Sequence, residues 1–167
     1  MRAKKVIWAF AFYGLLLTPS IIAQSEKPNF GGSFTLKDRK GGFKQQVSVW
    51  TLEVIQTEST IEVTKVIDSI RLAYNCPLKG GEGKFSTPDG GSGTCKAQWK
   101  GNDLVLDKTI SRRPRTNGPE SQTRVWERWK LSPDLRTLTI KIDVNFPGTP
   151  ISGSQLLGPT TEVYSRN

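Results

Sequence analysis

The sequence predicts an all-β protein, a single antiparallel up-and-down β-barrel or sandwich of about eight to nine strands behind an N-terminal export signal. Three observations predict it. Short β-rich runs alternate apolar and polar residues, polar turns separate them at close spacing, and no segment beyond the leader carries a helical period.

Residues 1–23 read as a signal peptide. Arg2, Lys4 and Lys5 form a basic start, Val6 to Leu17 an apolar stretch, and Thr18-Pro19-Ser20 a break before Ala23 at the cut. The apolar stretch falls well short of the ~20 residues a spanning helix needs, so the mature form carries no transmembrane segment. Residues 24–31 read as a flexible lead-in and 32–167 as the barrel domain, in the periplasm or outside the cell.

The strands are read in order at 33–37, 46–56, 60–67, 69–76, 93–99, 103–111, 122–131, 136–144 and 160–166. Three of them repeat one unit, a turn followed by strict alternation. These are Thr60 to Lys65 after Thr57-Glu58-Ser59, Asp103 to Lys108 after Lys100-Gly101-Asn102, and Thr137 to Lys141 after Ser132-Pro133-Asp134. A meander of hairpins requires such a unit.

Alternation then assigns an interior of Trp50, Leu52, Val54, Ile61, Val63, Ile70, Leu72, Tyr74, Ala97, Trp99, Leu104, Leu106, Val125, Trp129, Leu138, Ile140 and Ile142. The same parity turns Cys76 and Cys95 inward. Two cysteines in an exported chain favour a disulfide over a metal or redox site, and this one would close a loop worth roughly 3 kcal/mol. Two long connections interrupt the meander. Lys79 to Gly93 is rich in Gly and Ser, and Asn145 to Pro159 holds three prolines around Leu156-Leu157.

Composition excludes more than it identifies. The chain of 167 residues contains no histidine. That removes Ser-His-Asp and Cys-His catalysis and histidine-held zinc or haem. No metal or cofactor is called for, and no constellation of nucleophile, base and charge stabiliser marks an enzyme. Removing the leader takes three of the 24 basic residues and none of the 15 acidic ones, leaving +6. That charge is too thin for a nucleic-acid binder. Part of it clusters at Arg112, Arg113 and Arg115, then at Arg124, Arg128 and Lys130, either as a solvated surface or as attraction to an anionic envelope surface.

Glu127 shares the inward face with Val125, Trp129 and Leu131. A carboxylate there needs a partner, so it reads either as half of an internal ion pair with Lys65 or Lys108, or as a polar anchor for a ligand or an acid with a raised pKa. Trp126 lies on the opposite face between Arg124 and Arg128, where guanidinium stacking or a docking patch for a partner or anionic glycan would use it.

Gly32-Ser33-Phe34 near the start and Tyr164-Ser165-Arg166 at the end resemble the lipocalin and wider calycin superfamily. Phe34 stands where the opening Gly-x-Trp motif of that superfamily has tryptophan. Glu127-Arg128-Trp129 to Ser132-Pro133-Asp134, then Leu138-Thr139, resembles small exported lipocalin-like bacterial proteins. The resemblance implies an Arg166 side chain covering the Phe34 ring and sealing one end of the barrel. It carries no catalytic residue.

Two binding readings stay open. In the first, Trp50, Tyr74, Trp99, Glu127 and Trp129 line an interior site for a small apolar or amphipathic ligand, although the same aromatics would equally make a filled core. In the second, a packed barrel without ligand works in the envelope through its basic outer face and loops.

Overall fold

The computed structural model describes residues 27–41, 49–112, 120–147 and 158–167. The signal peptide, the start of the lead-in, 46–48, Arg113, Arg115 and most of 145–159 lie outside these residues. Among the described residues ten strands follow one another: β1 (Gly32–Lys40), β2 (Trp50–Gln56), β3 (Thr60–Ile67), β4 (Ile70–Pro77) and β5 (Gly83–Ser86), then β6 (Ser92–Lys100), β7 (Asp103–Arg112), β8 (Ser121–Leu131), β9 (Thr137–Asn145) and β10 (Thr160–Arg166).

They form one antiparallel sheet in the order β4-β3-β2-β1-β10-β9-β8-β7-β6-β5. Every neighbour is also a chain neighbour except β1 and β10, which pair from Phe34↔Arg166 to Lys40↔Thr161. The sheet curls into a nearly closed up-and-down barrel whose single unladdered seam lies between β4 and β5. Across that seam Cys76 and Cys95 form a disulfide with Cα atoms 5.1 Å apart. Both sulfurs point inward, as the alternation predicts.

The strand β5 is a correction, because the sequence reading had Lys79 to Gly93 as a loop. Its register explains the oversight. Phe85 faces Gly93 on β6, and a Cβ there would meet the Phe85 ring at 2.3 Å. A Cβ on Gly83 would meet the Asn75 carbonyl oxygen of β4 at 1.8 Å. The glycines that look like loop composition are what let β5 lie this close to both neighbours.

Alternating strands give the barrel two different poles. At the lower pole the turns are short, and Phe30 is fully buried against Trp99 and Trp129 at ring separations of 5.8 and 6.0 Å. The Arg166 guanidinium sits 4.9 Å from the Phe34 ring centre and donates to the carbonyls of Gly31 and Asn29. Phe34, Leu52, Ile61, Val63, Leu104, Leu106, Trp129, Leu138 and Tyr164 fill this half. The longest connections, 41–49, 113–120 and 146–159, all leave from strand ends at the upper pole.

Not every inward assignment holds. Ile70 is 58% exposed because it opens β4 at the rim, beyond the last layer of the core. Leu72, Trp99 and Ile142 are half-buried and pack against the core from its edges, and Val125 is half-buried too.

Candidate functional site

Between the apolar lower half and the upper rim, inward side chains on six strands are charged or phenolic. They form two clusters. In the first, Lys108 (β7) pairs with Glu127 (β8), and both are buried. The Trp129 indole N–H donates to Glu127 at 3.0 Å, the Tyr74 hydroxyl donates to it at 3.4 Å, and Lys108 donates to the Tyr74 oxygen at 3.3 Å. In the second, Lys65 (β3) donates to Glu162 (β10) at 2.7 Å, and Tyr164 donates to the same oxygen at 2.8 Å. Arg39 (β1) lies 3.6 Å from the other Glu162 oxygen.

Local chain geometry places these groups. Lys65 and Lys108 continue the apolar alternation of β3 and β7, one step above Val63 and Leu106. Arg39 arrives by a different route. The pairing of β1 with β10 shifts register between Leu36 and Asp38, and this bulge brings Arg39 opposite Glu162. Re-aiming a side chain in this way is a general use of a bulge.

The electrostatics are those of a compensated interior. Burial alone would raise the Glu127 carboxyl, but the Lys108 ammonium, with Lys65 behind it, outweighs that and holds the carboxyl below its ordinary value. Burial first, then the Glu127 charge, pushes the Tyr74 hydroxyl well up. Burial and then Glu162 do the same to Tyr164. At neutral pH both phenols are therefore hydrogen-bond donors to carboxylates. Among the described residues three cations meet two anions here, a net charge of +1. Lys65 gives one of its three donors to Glu162 and has no other hydrogen-bond acceptor among the described residues; it lies 4.7 Å from the Trp50 ring centre.

Of the residues singled out from the sequence, Tyr74 and Glu127 meet in the first cluster, with Trp129 beneath them. Trp50 borders the second through Lys65 and Arg39. Trp99 stands apart, half-buried at the lower pole with Phe30 and Lys27. Glu127 pairs with Lys108, one of its two candidate partners; Lys65 is taken by Glu162. Sequence reasoning missed Glu162 and Arg39. Glu162 had a signal, since it shares parity with Tyr164, whereas Arg39 had none, because a bulge is not visible in alternation.

On the outer face, Arg124 stacks on Trp126 at 4.5 Å and clasps Asp107 with two hydrogen bonds of 3.0 and 2.6 Å. A groove of about 820 Å³ lies beside this pair, between the 78–82 turn and the outer residues of β6, β7 and β8.

No family model and no curated protein matches the chain. Solved structures do. One titled "REP1-NXSQ fatty acid transporter" aligns with a TM-score of 0.56 at 12% identity, over 83% of this chain and 96% of that one. A tyrosine-to-phenylalanine mutant of that transporter aligns with the same TM-score and identity, over 83% of this chain and 98% of the other. At this identity the likeness is one of fold.

Proposed function

We propose that the barrel is a lipocalin-like carrier that takes a small amphipathic molecule through its upper pole. The charged layer would read the headgroup and the half-buried wall of Leu72, Ile110, Val125 and Ile142 would hold the tail. The observation that carries this reading is the layer itself. Two ion pairs with their phenols cost more to bury than an apolar filling of the same volume, so packing alone gives no reason for them. The excess positive charge and the uncommitted donors of Lys65 favour an anionic headgroup. The titles of the structural neighbours, which name a fatty acid transporter, support an amphipathic acid as cargo.

The reading is of a binder, not a catalyst, because each buried carboxylate already accepts from internal donors. The leader would place this binder in the periplasm or outside the cell.

The test is tryptophan fluorescence during titration with three probes of equal chain length, dodecanoate, dodecanol and dodecyltrimethylammonium. Saturable binding in the order anion, alcohol, cation is expected. Flat titrations with all three end the interior-ligand reading, and a preference for the cation reverses the assignment of the headgroup.

A further inference from the structure

A second surface lies outside the barrel. Three adjacent grooves cross the outer face of β6 to β9. The first, of about 820 Å³, takes in Lys96, Gln98, Lys100, Arg124 and Trp126. The second, of about 390 Å³, shares Lys96 and Arg124 and adds Gln122 and Asn145. The third, of about 270 Å³, is bounded by Arg128, Lys130 and Lys141. The ladder joins them, since Lys100 pairs with Asp103, Val105 with Arg128, and Arg128 with Lys141.

The central aromatic is fixed in place. Arg124 covers Trp126 and is itself held by Asp107 through two hydrogen bonds. Several cations around it are not neutralised. Lys96 pairs with Glu82 and Arg128 with Asp103, but Lys100, Lys130 and Lys141 have no carboxylate partner among the described residues. A strand spacing of ~4.8 Å puts Lys100 on β6 and Lys141 on β9 about 15 Å apart, with the aromatic between their strands.

We propose that this face binds a linear acidic polysaccharide. A sugar ring would stack on the Trp126–Arg124 platform, the amides of Gln98, Gln122 and Asn145 would meet its hydroxyls, and the lysines would meet acid groups along the strand. The other polyanions fit less well. A bilayer is met by protruding apolar side chains, and among the described residues the exposed large ones are Val49, Ile55, Ile70 and Leu135, all off this face. Single-stranded nucleic acid needs a succession of stacking rings; the first groove has two aromatics, Trp126 and Trp99, and the Trp99 ring is engaged by Phe30 and Lys27.

The test is titration of the full mature chain with polygalacturonate, with neutral dextran, an unstructured DNA strand and phosphatidylglycerol vesicles as comparisons. The variants are Trp126→Ala and, on the far side of the barrel, Lys37→Ala. The expected result is salt-sensitive binding of polygalacturonate, weakened about tenfold by Trp126→Ala, the factor one stacking contact supplies, and unchanged by Lys37→Ala. Circular dichroism shows whether the Trp126→Ala barrel is intact. If it is not, Lys100→Ala and Lys141→Ala in an otherwise natural chain carry the same test through the salt slope. No binding overturns the proposal. So does binding that is equal for DNA or vesicles and indifferent to Trp126, which would be adsorption by charge alone. Dodecanoate binding measured with and without polygalacturonate separates this surface from the interior, since either can fail alone.

Discussion

Lys65 and Glu162 are 97 positions apart in sequence, yet Lys65 reaches across the inside of the barrel to within 2.7 Å of the carboxylate. Two strands, β2 and β1, lie between theirs in the sheet, so the pair ties walls that no ladder joins directly. Replacing Lys65 by methionine would leave Glu162 buried with only Arg39 to balance it. We expect a loss of about 3 kcal/mol in chemical denaturation, the low end of the range for a broken buried pair. The double variant Lys65→Met/Glu162→Leu should recover most of that loss. If the double variant is as unstable as the single one, the cost lies in packing and not in charge.

Stability should fall off on both sides of neutrality, for different reasons. The fold holds the Glu127 carboxyl below its ordinary 4.5, because the Lys108 and Lys65 charges outweigh the upward push of burial. It therefore favours the ionised form; the stabilisation is complete above about 4.5 and drains away as pH falls from there through the folded value. Tyr74 is raised above its ordinary 10.0 by burial and by Glu127, so the fold favours the neutral phenol. That contribution is complete below 10.0 and is lost as pH climbs past it towards the folded value. Thermal melts across the pH range check both limbs. Glu127→Gln should flatten the acid limb, and an unchanged acid limb would show that other carboxylates produce it.

Reduction of Cys76–Cys95, or its replacement by a pair of serines, should cost roughly 3 kcal/mol by the chain-entropy argument. The location of the loss is the sharper expectation. Amide exchange should accelerate first in β4 and β5, where no ladder bonds hold the seam, and last in β1 and β10. Uniform acceleration would mean that the bridge acts only through the unfolded chain.

Leu135 adopts φ of 59° in the turn between β8 and β9, with its side chain 45% exposed. A left-handed conformation costs a branched side chain roughly 1–2 kcal/mol, and glycine avoids it. Leu135→Gly should therefore raise the melting temperature, unlike most substitutions. A lower melting temperature would mean that the leucine side chain makes contacts that outweigh its strain.

Much of the fold was legible because the barrel has one dry side. Period-two alternation marks which residues face it, and it placed Leu52, Val63, Leu104, Trp129 and both cysteines inside. It failed where something other than side-chain polarity decides position. The strand β5 depends on glycines that admit close backbones, Ile70 lies past the end of the core, and Arg39 enters through a bulge. The charged layer was half legible: Glu127 announced itself by lying among apolar neighbours. Glu162 sits in a short final strand flanked by threonine and valine, and its burial became plain only once Lys65 was seen to reach it.

The sheet begins and finishes the chain in its own middle. The amide of Asn167 donates to the carbonyl of Ser33 at 2.9 Å, while the free edges, β4 and β5, fall near mid-sequence. Such a chain cannot complete its sheet until two strands more than a hundred residues apart have found each other, the slowest kind of contact to form. Joining the two ends by a short linker and opening the chain at Gly80-Gly81 would give the same barrel with every pairing local. Such a circular permutant should fold faster than the natural order.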